Sequence, residues 1–196
     1  YFCTIKLNNM TNLKIITSTS RTVGNGKYIA KWITELAQQS GLYNVELLDL
    51  AEINLPFMDE ANHPMAQKYE LEHTKAWSKK INEADAFIFV LAEYNFGIPA
   101  TIKNAMDYLH FEWKYKPVGI VSYGGISAGL RSAQMFKQVV TSFNMMPIVE
   151  QVAIPFFFKS LDNEGKFNAD EMVQKSANVM LNELKRWSDA LAVLRK

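Results

Sequence analysis

The chain has 196 residues, 48% hydrophobic and 21% charged, which suits one globular domain with a core of ordinary size. Its 21 basic and 20 acidic residues leave a formal charge of +1, which gives no electrostatic ground for nucleic acid or a membrane surface as partner. The one cysteine, Cys3, excludes an intrachain disulfide framework and any paired-thiol motif, and points to a reducing compartment, the cytoplasm.

No apolar run approaches the roughly 18 residues of a membrane span, and no secretory signal is legible. Met10 directly precedes the first convincing strand, so residues 1–9 are expected to be an appended remnant or an upstream extension, and residues 10–196 a single domain. Residues 13–17 (LKIIT) run into a polar Ser/Thr/Asn/Gly stretch and predict a buried strand followed by a loop. Across residues 27–39, Ile29, Ala30, Ile33, Leu36 and Ala37 mark one face of an amphipathic helix, with Gly41 as its stop. Residues 45–50 predict a second strand, and residues 49–64, rich in Asp, Asn, Glu and Pro, a long loop.

Residues 67–84 are helical by period, with Tyr69, Ala76, Trp77 and Ile81 as packing residues. Residues 86–91 (AFIFVL) are apolar at every position, the mark of a strand buried on both faces of a parallel sheet. A third helix is predicted over 98–109, a fourth strand over 118–122, a fourth helix over 128–143 and a fifth strand over 147–153. The last helix is predicted over 169–194, with Met172, Val173, Val179, Met180, Leu184, Trp187 and Leu191 on its apolar side. Such alternation implies an α/β doubly wound, three-layer sandwich: a parallel sheet with helices on both faces and ligands at the carboxyl ends of the strands.

That rule directs attention to three loops. After strand one, Thr19, Ser20, Arg21, Asn25 and Gly26 combine hydroxyls, a guanidinium and glycine at a helix start, the chemistry of a monophosphate cradle. It is neither a Walker A loop nor a GxGxxG fingerprint. After strand three come Glu93, Tyr94, Asn95 and Phe96, whose aromatics suit a flat ring. After strand four come Ser122, Tyr123, Gly124 and Gly125, whose glycines let backbone approach a ligand. Each loop alone is equally well read as a helix cap, a packed loop or a glycine turn. Together they describe a mononucleotide with a large planar base.

The stretch Glu93-Tyr94-Asn95, then Ile98-Pro99 and 103–109 (KNAMDYL), then 116–125 (KPVGIVSYGG) and Gly129-Leu130-Arg131, with Trp77 and Ala84-Asp85-Ala86 ahead of them, resembles the NADPH-dependent FMN reductase family. The resemblance runs from about residue 13 to 149. It implies a flavodoxin-like fold with a five-stranded sheet in the order 2-1-3-4-5, FMN as cofactor, and NADPH or NADH as hydride donor to the flavin N5. It further implies a small-molecule acceptor such as a quinone, azo compound or free flavin, and a homodimer or homotetramer. In that reading Thr19, Ser20, Arg21, Asn25 and Gly26 hold the phosphate. Glu93, Tyr94, Asn95 and Phe96 line the ring and ribityl chain, and Ser122, Tyr123, Gly124 and Gly125 border the pyrimidine side. Two positions depart from the family pattern: Ser18 stands where a glycine is usual and Ala92 where a proline is usual.

No catalytic side chain and no metal is expected. His63, His73 and His110 are scattered, without ligand spacing. Two other readings remain: a flavodoxin-type electron carrier, which a net charge of +1 does not favour, and an FMN-dependent sensor using 156–158 and the last helix for partner binding.

Overall fold

The computed structural model describes residues 10–21 and 24–195. The expectation for residues 1–9 therefore lies outside the described residues. Five parallel strands form one sheet in the order β2-β1-β3-β4-β5: β1 Thr11–Thr17, β2 Tyr43–Leu48, β3 Ala86–Ala92, β4 Pro117–Tyr123 and β5 Met146–Ile154. The all-apolar run of β3 is buried at every position, as is β4. These two strands occupy interior places in the sheet with helices on both faces, so neither face of them is left for polar residues.

Helices α1 (Gly26–Gln39) and α6 (Glu171–Leu191) cover one face through Ile29, Ile33, Ala177, Met180 and Leu184. Helices α3 (Glu72–Asn82), α4 (Ala100–Asp107) and α5 (Leu130–Ser142) cover the other through Trp77, Ile81, Ile102, Ala133 and Phe136. The order reverses between β1 and β3. The crevice above their carboxyl ends is the place where a doubly wound sheet admits a ligand.

The differences from the sequence expectation have local causes. Residues 49–64 include a single-turn helix, α2 (Leu50–Ile53), because the Asp49 carboxylate accepts the Ala51 N–H at 3.0 Å. The helix expected from residue 67 starts only at Glu72. The Glu60 carboxylate accepts the N–H groups of Glu70 and Leu71, at 3.1 and 3.0 Å, and holds that segment out of the helix. Ile98 precedes a proline, which disfavours helical backbone, so α4 begins after Pro99. The expected start of α5 at residue 128 fails because Ala128 and Gly129 both have positive φ, 54° and 75°. Met172 and Val179 of α6 face solvent, since the buried stripe runs through Val173, Ala177, Met180, Leu181 and Leu184 instead.

Trp77, noted in the sequence for packing and for the family resemblance, also closes the end of α4. Its indole N–H donates to the Ala105 carbonyl at 2.9 Å, and the Trp113 indole donates to the Met106 carbonyl at 3.2 Å. Carbonyls in the last turn of a helix have no partner within it, and two buried indoles supply one here. Trp77→Phe keeps most of the packing and orphans the Ala105 carbonyl. Urea unfolding is expected to show a loss of about 1–3 kcal/mol.

Candidate functional site

The site is built around the end of β3. The Ala92 N–H donates to the Ser18 hydroxyl at 2.9 Å, and the Ala92 carbonyl accepts the Ser132 hydroxyl at 2.8 Å. Ser18, standing where the family pattern has glycine, is 1% exposed. Its hydroxyl ties the loop after β1 to β3, so the departure is absorbed as an added bond.

One residue on, Glu93 ties the second loop to the third. Its carboxylate accepts the Ser127 hydroxyl at 3.0 Å, the Arg131 backbone N–H at 3.1 Å and the Arg131 guanidinium at 2.6 Å. Burial works against the charge, but these hydrogen bonds outweigh it and hold the Glu93 carboxyl below its ordinary pKa. The side chain is thus spent on the loops themselves.

Tyr94 and Gly97 exchange both backbone N–H···O bonds at 3.0 Å, closing a tight turn. Its two central residues, Asn95 and Phe96, have φ of 48° and 70°, the sign a primed hairpin turn demands. Asparagine tolerates that region, whereas a phenylalanine there is strained. The Arg131 guanidinium lies 4.1 Å from the centre of the Phe96 ring and steadies it. Phe96 nevertheless remains 70% exposed at the rim.

Beneath that rim lies a cleft of about 160 Å³ lined by Thr19, Arg21, Gly24, Asn25, Glu93, Tyr94, Tyr123, Gly124 and Phe157. A second hollow of about 230 Å³ shares Thr19, Arg21 and Gly24 with it and extends to Lys27, Asp49 and Glu52. Arg21 stands where the two meet. Helix α1 starts here with no side-chain cap from Asn25 and no acidic residue in its first turn; the Tyr28 N–H turns back to the Asn25 carbonyl at 3.1 Å, and among the described residues the Gly26 and Lys27 N–H groups and the helix dipole are available to an anion.

The third loop depends on glycine geometry. A Cβ on Gly129 would stand 2.7 Å from the Tyr123 carbonyl oxygen, and a Cβ on Gly124 would stand 3.0 Å from the Gly129 nitrogen. Gly125 faces open space instead: a Cβ there would meet nothing within 4 Å.

Thr19, Arg21, Asn25, Glu93, Tyr94, Tyr123 and Gly124 therefore come together as the sequence predicts. Gly26, Asn95, Phe96 and Gly125 belong to the adjoining backbone and rim. Two expected residues sit apart. The Ser20 hydroxyl turns toward Thr101 of α4, at 3.4 Å. Ser122 is wholly buried within β4, its Cβ beside Gly129. Phe157, which follows β5, lines the cleft and stacks edge-on against Tyr123 at 5.1 Å. It was legible in principle, since β5 is a fifth strand with its carboxyl end at the same edge. Among the described residues no three or more His, Cys, Asp or Glu side chains cluster as metal ligands. A larger hollow of about 460 Å³, between α1 and residues 164–167, contains none of the predicted residues.

Residues 11–159 match the family described as NADPH-dependent FMN reductase, a stretch running from β1 through the Phe157 turn and so containing every wall of the cleft. The chain belongs to the NADPH-dependent FMN reductase family. It is 43% identical over 109 residues to an NAD(P)H-dependent FMN reductase of Schizosaccharomyces pombe, covering 55% of this chain and 54% of that protein. It is 33% identical over 153 residues to an NAD(P)H-dependent FMN reductase of Nectria sp., covering 75% and 76%. The matched part thus spans about half of the first relative and three quarters of the second. In fold the family member is similar to the flavoenzyme NAD(P)H:(acceptor) oxidoreductase of Paracoccus denitrificans, with TM-score 0.74, 18% identity and coverage of 92% and 98%.

Because the folded-state pKa of Glu93 is depressed, its contribution to stability is present above the ordinary carboxylate range and is lost as pH falls through the lower folded value. Glu93→Gln removes that term. Melting temperatures measured from pH 7 down to pH 3 are expected to fall less steeply below about pH 4.3 in the variant than in the wild type.

Proposed function

We propose that this chain binds FMN in the trough formed by the three loops. It acts there as an NAD(P)H-dependent reductase of a small acceptor of the quinone, azo or free-flavin class. The observation that carries the proposal is the meeting, at one edge of the sheet, of an uncapped helix start beside Arg21 and an aromatic, glycine-lined rim. A phosphate fits the first and a flat ring the second. The open space beyond Gly125 leaves room for the ring to lie against backbone.

In this reading Thr19, Arg21, Asn25 and the backbone of Gly26 hold the phosphate. Arg21 supplies charge and a forked pair of donors. Tyr94, Asn95 and Phe96 flank the ring on one side, and Gly124 and Gly125 border its polar edge. Bound FMN supplies the electron-transfer chemistry that side chains lack. Glu93 and Arg131 keep the second and third loops at a fixed spacing, and the exposed Phe96 narrows the entrance for nicotinamide and acceptor alike. Assembly as a homodimer or homotetramer and a cytoplasmic location complete the proposal. The single cysteine in the chain supports the latter. Among the described residues no helix is long and apolar enough to cross a membrane.

Purified protein loaded with FMN is expected to oxidise NADPH or NADH when given a quinone and no protein partner. An electron carrier without its own substrate would leave the nicotinamide unconsumed under those conditions. Arg21→Ala is expected to weaken FMN binding by about 1.5–3 kcal/mol, the scale of a lost hydrogen bond to a charged group. Unchanged affinity in a fluorescence titration would remove Arg21 from the phosphate site.

A further inference from the structure

The family resemblance implies that the loop after β4 borders the flavin ring. The position of one atom assigns part of it elsewhere. Tyr123 is 6% exposed, and its ring is held edge-on by Phe157 at 5.1 Å. The phenol oxygen reaches across the cleft to the first residue of α1. A Cβ placed on Gly26 would overlap that oxygen and stand 3.1 Å from Cζ. The hydroxyl thus lies at the uncapped helix start, in the same cleft as Arg21 and Asn25. Among the described residues it makes no hydrogen bond to protein.

Packing alone does not account for this atom. A phenylalanine would fill the space against Phe157 equally well. In a side chain only 6% exposed, the hydroxyl opens into the cleft without a partner among the described residues, and it costs a glycine enforced at the start of a helix, where an alanine would be the better helix former. Burial raises the Tyr123 pKa, with Tyr94 adding to the rise and Arg21 opposing it. The phenol therefore keeps its proton at neutral pH and is a donor aimed into an anion site.

We infer that the Tyr123 hydroxyl is a phosphate ligand. It donates to the phosphomonoester of the bound mononucleotide alongside Arg21, and so helps to select FMN over riboflavin. The inference rests on the FMN reading above and adds a residue from the third loop to the phosphate end of the site. It also explains Gly26 by sterics: the residue is a glycine to admit the hydroxyl.

The test is Tyr123→Phe, which keeps the ring and deletes one oxygen. FMN and riboflavin are each titrated into flavin-free protein and followed by quenching of flavin fluorescence. The expected result is an FMN dissociation constant raised roughly tenfold, as for loss of a hydrogen bond to a charged acceptor, with riboflavin affinity unchanged. An unchanged FMN constant, or parallel weakening of both flavins, would overturn the assignment. The ³¹P resonance of bound FMN, measured at saturation, gives a reading independent of affinity: it is expected to move in the variant, and an identical resonance counts against the contact. A wild-type protein that binds FMN while the variant is indifferent defeats only this inference, whereas a wild-type protein that binds no flavin defeats the functional reading itself.

Discussion

The last residues of β3 hold the candidate site in one piece. Both backbone groups of Ala92 are taken by hydroxyls from elsewhere in the chain, Ser18 from the loop after β1 and Ser132 from the first turn of α5. The next side chain, Glu93, is bonded to Ser127 and Arg131. Three loops far apart in sequence are thereby fixed to a strand that is buried along its whole length. Loops on a sheet edge are otherwise the least constrained parts of a domain. Here the rigid interior of the sheet extends one residue beyond its end, to Glu93, and sets the spacing of whatever the loops enclose.

That spacing divides the crevice into two chemical halves. On the α1 side are a helix start without cap or acid, Arg21 and small polar residues. On the other are Tyr94, Phe96 and the open backbone at Gly125. An anion is favoured in the first by the helix dipole and by free N–H groups, and an extended aromatic system is favoured in the second by its faces and edges. The strain at Phe96 belongs to this division. A bulky side chain is held at positive φ where it projects over the entrance, with Arg131 opposing its retreat.

The architecture was largely legible because its signals are periodic. The all-apolar run of β3 and the three-and-four spacing along α1 depend on burial alone, and burial determined both elements. Boundaries were less legible wherever a distant side chain set them. Nothing local in residues 67–71 shows that Glu60 will claim two of their N–H groups. Most of the candidate site was also legible, since loop position at strand ends follows from fold class. Direction within the loops was not. Ser122 and Tyr123 are neighbours in sequence, but alternation along a strand sends one beneath α5 and the other across the cleft. Glu93 reads as a ligand-facing acid until Arg131, 38 residues away, is seen to occupy it.

The most direct measurement is a crystal structure of the protein grown with FMN. The account predicts a phosphate between Arg21 and the first turn of α1, with the ring lying between the 94–96 turn and the backbone at Gly124 and Gly125. Flavin lodged in the hollow between α1 and residues 164–167, or a trough without flavin at saturating FMN, would contradict it.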